Sequence, residues 1–116
     1  MADRYLLVWS RTALEDLESI LEYVARSDGA DRSLALYDAL RTRVDSLVRF
    51  PRRGRIVPEL KRLGLTDFRE LIVSPYRVFF CIDGNTIVLL GVVDGRRDLE
   101  ELLLERTLRA AGRGGS

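Results

Sequence analysis

The stretch Phe68-Arg69-Glu70-Leu71-Ile72-Val73, Ser74-Pro75, Tyr76-Arg77-Val78-Phe79-Phe80-Cys81-Ile82, Asp83-Gly84-Asn85, Thr86-Ile87-Val88-Leu89-Leu90-Gly91-Val92-Val93 decides the fold. Phe68, Leu71 and Val73 mix with Arg69 and Glu70 in a half-buried strand pattern, and Ser74-Pro75 turns the chain. Tyr76 to Ile82 forms a second strand. Asp83-Gly84-Asn85 is a tight hairpin turn, because Gly and Asn tolerate left-handed dihedrals. Thr86 to Val93 is almost wholly apolar, as expected of a strand that is central or covered on both faces.

Upstream, residues 51–67 read as a basic loop with one brief extended piece: Pro51-Arg52-Arg53-Gly54-Arg55, Ile56 to Leu60, then Lys61-Arg62-Leu63-Gly64. Before it lie two helices. In the first, Ala13, Leu17, Ile20, Leu21 and Val24 recur at three and four residues. Ser10 or Thr12 is its expected cap, with Thr12 and Glu15 at capping-box spacing. Ser27-Asp28-Gly29 ends it. Asp31 is the expected cap of the second helix, whose stripe of Leu36, Leu40, Val44 and Leu47 runs toward Phe50, where Pro51 closes it. Tyr5 to Trp9 is a short apolar strand. Downstream, Asp94-Gly95 breaks the last strand, and Asp98 can cap a final helix with Glu101 three residues on.

The order is therefore β-α-α-β-β-β-α, without a repeat. The α+β packing that follows is a small, mostly antiparallel sheet against an N-terminal helical hairpin. One domain is expected over residues 1–109, with a Gly-rich flexible tail over 110–116.

Of 116 residues, 47% are hydrophobic and 32% charged, an ordinary globular composition. One cysteine, Cys81, excludes an internal disulfide and fits a reducing compartment. No run is long and apolar enough for a signal peptide or a membrane span, so a cytoplasmic location without membrane association is the expectation. The net charge of +1 conceals an asymmetry: residues 49–77 hold eight basic and three acidic side chains. Of the 19 basic residues, Lys61 alone is lysine. Histidine is absent, which removes the familiar triads and, with one cysteine, any credible zinc cluster. The glycines lack the spacing of a phosphate-binding loop. No metal or cofactor is expected.

Basic chemistry remains. Arg69 and Arg77 on the strands, and Arg96 and Arg97 after the last one, were they to converge on one edge or face, would bind phosphates. Such a cluster would also stabilise charge developing at phosphorus during attack by a ribose 2′-oxygen, with Glu70, Glu59 or Lys61 as the base. The competing reading makes them structural: Arg77 as an ion pair with Glu59 or Glu70, and Arg96-Arg97-Asp98 as a helix anchor.

Several segments together resemble the RelE/ParE superfamily of plasmid-stabilisation toxins. They are Trp9-Ser10 with Ala13, Asp16-Leu17, Ile20 and Tyr23; Leu47 with Pro51 and Gly54; Pro58-Glu59-Leu60; Phe68-Arg69-Glu70-Leu71; Tyr76-Arg77-Val78; and Val92 to Leu99. The resemblance implies the toxin of a type II toxin–antitoxin pair, neutralised by a cognate antitoxin. RelE-like members cut messenger RNA at the ribosome, and ParE-like members poison DNA gyrase. An RNA-cleaving role would fall by position on Lys61, Arg69 and Arg77. Residues contacting the target or its phosphates are expected among Arg55, Lys61, Arg69, Arg77, Arg96 and Arg97.

Two departures favour the ParE-like branch. Asp94 stands where the family often carries a histidine, and the C-terminal segment from Glu100 to Glu105 is acidic and leucine-rich, suited to protein contact. A gyrase inhibitor is the reading, with a ribosome-dependent mRNA endoribonuclease as the alternative. Leu99, Leu103 and Leu104, with the sheet edge, are the expected antitoxin groove. A homodimer is a second way of covering that edge.

Overall fold

The structure is a computed structural model and describes residues 4–104 and Arg106. Strand β1 spans Leu6–Trp9, helix α1 Arg11–Asp28 and helix α2 Ala30–Asp45. Strand β2 (Arg55–Ile56) and the single helical turn α3 (Pro58–Lys61) precede the three long strands. These are β3 (Phe68–Val73), β4 (Tyr76–Asp83) and β5 (Thr86–Asp94). Residues 99–104 and Arg106 are helical and form α4. The tail expected over 110–116 lies outside the described residues.

Ser10, not Thr12, caps α1: its Oγ accepts from the Ala13 amide at 3.1 Å. Thr12 already lies inside the first turn. The joint between the two helices is a single residue, Gly29, with φ of 97°. Only glycine adopts that backbone without strain, so it serves as the cap of α2 in place of Asp31. Asp31 sits in the first turn, where its charge suits the positive end of the helix. Helix α2 also stops earlier than its apolar stripe suggests. It tightens into a 3-10 turn at Ser46–Val48, and a second such turn starts at Pro51. Proline disfavours a helical residue before it, and Phe50 accordingly leaves the helical region, at φ −132° and ψ 68°.

The five-stranded sheet has the order β1-β5-β4-β3-β2. Strand β1 runs parallel to β5, and the other pairings are antiparallel. Phe79 pairs with Gly91 and Phe80 with Leu89, so Leu90 is an extra residue in a bulge. Ala13, Leu17, Leu40, Val44 and Leu47 of the helical hairpin cover one face through Leu71, Val78, Phe80, Ile87 and Leu89. The other face is covered too. Val57 before α3 and Leu60 within it, with Leu99 and Leu102 of α4, pack on Phe68, Phe79 and Val93. Helix α3 replaces the plain loop expected before β3, and coverage from both sides accounts for the apolar run of β5.

Asp16 of α1 binds the layers together. The ladder with β1 ends where the Ser10 amide meets the Leu89 carbonyl, which leaves the Val92 N–H beyond it without a neighbouring strand. The Asp16 carboxylate accepts that N–H at 2.9 Å and also receives Arg106 at 2.8 Å. Asp16→Ala is expected to cost about 1–3 kcal/mol, because it leaves a part-buried amide unsatisfied. Asp16→Asn retains an acceptor and should cost less; equal urea midpoints for the two variants and the parent would refute this role.

Candidate functional site

The second face of the sheet carries a charged network built on alternation. Glu70 and Arg77 lie on that face because Glu70 pairs with Phe79 and Arg77 with Ile72 across β3 and β4. The Glu70 side chain is fully buried and sits between two arginines. Its Oε1 accepts from Arg77 Nε at 2.6 Å, and its Oε2 from Arg55 Nε at 2.7 Å. Helix α3 delivers Glu59 to the outer side of Arg77. The two form a bidentate pair, NH1 to Oε2 and NH2 to Oε1, both at 2.8 Å. Pro58 at the first helical position followed by Glu59 is the local signal for that turn. Arg77 also lies over the Phe79 ring, 5.2 Å from its centroid.

These groups floor an open groove of about 520 Å³, lined by Arg55, Glu59, Arg62, Ile72, Arg77 and Arg96 among others. Its apparent basicity is largely cancelled. Two carboxylates engage Arg77, one engages Arg55, and Asp94 engages Arg96 through both its oxygens at 2.9 and 2.5 Å. The hydrogen bonds from Arg77 hold the Glu59 carboxyl at a pKa of about 2 against an ordinary 4.5. Arg96 similarly holds Asp94 at about 2. The same contacts, Glu59 first, push the Arg77 guanidinium upward.

Because Glu59 is more acidic in the folded state, the stability it contributes is complete above pH 4.5 and disappears as the pH falls toward 2. The melting temperature is therefore expected to fall more steeply over that window for the parent than for Glu59→Gln. Parallel acid limbs in calorimetry would contradict the assignment.

The sequence-derived candidates do not meet in one place. Arg55, Arg77 and Arg96 line the groove. Arg69 does not converge with them: it pairs with Phe80, points to the opposite face and donates to the Gly54 carbonyl at 2.8 Å. The two-residue period of a strand places 69 and 77 on different sides. Lys61 ends α3 and is exposed, and Arg97 is exposed in the turn after β5. Leu99 is buried in the second core at 5% exposure, whereas Leu103 and Leu104 are exposed. Leu99 and Leu103 line an apolar groove of about 420 Å³ with Leu63, Leu65, Phe68 and Leu90; Leu104 is not part of its lining. Leu63 and Leu65 were hidden from sequence reading by their place in a polar loop. Among the described residues, no cluster of three or more His, Cys, Asp or Glu could hold a metal, and no helix could cross a membrane.

A five-stranded sheet with a helical hairpin on one face and the Glu59–Arg77–Glu70–Arg55 network on the other defines a small α+β fold. The family model described as ParE toxin of type II toxin-antitoxin system, parDE, matches residues 7–99. The chain belongs to that family, within the RelE/ParE superfamily, and is the toxin component of a type II toxin–antitoxin system. Toxin ParE3 of Caulobacter vibrioides is 29% identical over 87% of this chain and 97% of its own length. Toxin RelE2 of the same organism is 37% identical over 67% of this chain and 82% of its own. Two solved structures share the fold. They are a chromosomal ParDE system from P. aeruginosa (TM-score 0.67, 21% identity) and the RelBE2 toxin–antitoxin complex from Mycobacterium tuberculosis (TM-score 0.56, 23% identity). The first match covers 79% of this chain and 97% of that one, and the second 81% and 94%.

Proposed function

We propose that this toxin is a ParE-like inhibitor of DNA gyrase, neutralised by a cognate antitoxin. The observation that carries the reading is the state of Arg77. Its Nε and both terminal nitrogens already donate to Glu70 and Glu59, so neither two-donor edge of its planar fork is free to grip a scissile phosphate. RNA cleavage also needs a base for the 2′-hydroxyl. Glu70 is enclosed between two arginines, and Glu59, at a pKa of about 2, is a poor proton acceptor near neutral pH. On this reading Arg55, Arg69, Arg77 and Arg96 serve the fold or an interface, while Lys61 and Arg97 stand on the exposed rim.

The identity with a relative named RelE2 favours a second reading, a ribosome-dependent endoribonuclease that would act through Lys61, Arg69 and Arg77. Purified toxin added to gyrase supercoiling and DNA-cleavage reactions, and separately to a translating extract, distinguishes the two. Stabilised gyrase–DNA complexes with intact message support the gyrase reading, and cleaved message with unaffected gyrase overturns it.

The apolar groove of Leu99 and Leu103, extended by exposed Leu104, is the proposed antitoxin surface. Hydrogen exchange at its amides is expected to slow when the antitoxin binds, and unchanged exchange would move that surface elsewhere. A homodimer through the β1 edge is the remaining proposal for partners, tested by sedimentation.

A further inference from the structure

Arg55 and Arg77 are occupied by carboxylates and Arg69 by the Gly54 carbonyl, but the loop before β2 is built differently. Leu47, Pro51 and Gly54 point inward and are buried, while Arg49, Phe50, Arg52 and Arg53 between them are exposed. The loop is held in shape by two 3-10 turns, with the Arg49 amide donating to the Ser46 carbonyl and the Arg53 amide to the Phe50 carbonyl, and the Phe50 amide also reaches the Ser46 carbonyl. Arg53 lies over the exposed Phe50 ring, 4.8 Å from its centroid, which fixes the guanidinium without neutralising it. Residues 49–56 contain four arginines and no acidic side chain. Among the described residues, only Arg55 of these has a carboxylate partner, Glu70. Three positive charges are thus presented on a braced backbone, apart from the neutralised groove. Lone pairs of a sugar–phosphate backbone are the chemistry such a set recognises.

We propose that Arg49, Arg52 and Arg53 form a phosphate-backbone contact through which the toxin grips duplex DNA. The proposal deepens the gyrase reading by naming the component of the enzyme–DNA complex that the toxin touches. A protein surface is the rival occupant, since arginine beside an aromatic ring also marks protein interfaces. The density of positive charge without any acid favours the polyanion.

The test is a fluorescence-anisotropy titration of the full chain with a labelled duplex and with single-stranded RNA of the same length, between 50 and 200 mM salt. Three phosphate contacts predict a salt slope of roughly −2.7, or about a 40-fold loss of duplex affinity over that range. Arg49→Gln, Arg52→Gln and Arg53→Gln combined should remove most of that slope and leave the melting temperature unchanged, because all three side chains are exposed. The triple lysine variant should retain it. The proposal is overturned if the parent fails to bind duplex, if it binds RNA alone, or if the glutamine variant keeps the parental slope. It is equally overturned if the glutamine variant loses only antitoxin affinity. The gyrase reading is judged apart: duplex binding without effect on supercoiling sinks that reading and supports the loop, and supercoiling inhibition without duplex binding does the reverse.

Discussion

Replacing Arg77 with methionine is expected to lower the unfolding free energy by about 3–5 kcal/mol, the range for breaking a buried ion pair from one side. The Arg77 side chain is 11% exposed, and its inner partner Glu70 is wholly buried. Removing the guanidinium leaves the Glu70 carboxylate with Arg55 alone, whose own side chain is 59% exposed and held by a single bond. Glu59 is affected less, because it borders the open groove and can turn to water. Most of the loss therefore arises from the desolvated Glu70. It follows that Glu70→Leu combined with Arg77→Met should be more stable than Arg77→Met alone, since an apolar pair against Phe79 carries no charge to desolvate. Arg77→Lys should fall between, because an ammonium cannot satisfy Glu70 and both Glu59 oxygens at once. Urea unfolding of the four proteins measures the comparison. A loss under about 1 kcal/mol for Arg77→Met would mean that the network does not hold α3 to the sheet, and would return Arg77 to the candidates for a free phosphate grip.

That network also shows what the sequence could and could not disclose. The strands were legible because Tyr76 to Val93 carries its own turn chemistry in Asp83-Gly84-Asn85 and its own apolar period. Pairing of Arg77 with Glu59 or Glu70 was legible as a choice, but not that both pair at once, because Glu59 reaches Arg77 through a helical turn only four residues long. Nothing periodic marks so short an element. The opposite placement of Arg69 and Arg77 depended on register, which the Ser74-Pro75 turn sets and composition does not. The caps were legible in part. Ser10, one of the two residues expected to cap α1, does so, because the pairing of β1 with β5 fixes where α1 begins, whereas Asp31 yields to Gly29, which fixes where α2 begins. The target of the toxin was least legible of all. On the proposed reading it turns on which arginines remain exposed without a carboxylate, and that is a property of three-dimensional neighbours.

Gly54→Ala is expected to destabilise the protein by about 3 kcal/mol, at the upper end for overpacking a core. The backbone conformation is not the cause, since φ of −77° and ψ of 145° suit any residue. The obstacle is space. A methyl group at Gly54 would stand 2.5 Å from Phe80 Cζ and 2.6 Å from its Cε1, and 2.8 Å from the Glu70 carbonyl oxygen. Phe80 is fully buried in the main core, and the Glu70 carbonyl belongs to β3, so neither can withdraw cheaply. The chain must instead lift away, taking with it the Gly54 carbonyl that accepts from Arg69 and the turn that presents Arg52 and Arg53. Shortening the ring tests this directly. Phe80→Leu alone should cost about 1–3 kcal/mol through the cavity it leaves. Combined with Gly54→Ala, it should cost less than the sum by about 1 kcal/mol or more, because the alanine methyl occupies part of that cavity. Additive losses in the double-mutant cycle would show that the ring is not what demands glycine. The carbonyl of Glu70 would then be the sole barrier, and the loop's seat would be set by the edge of the sheet rather than by its core.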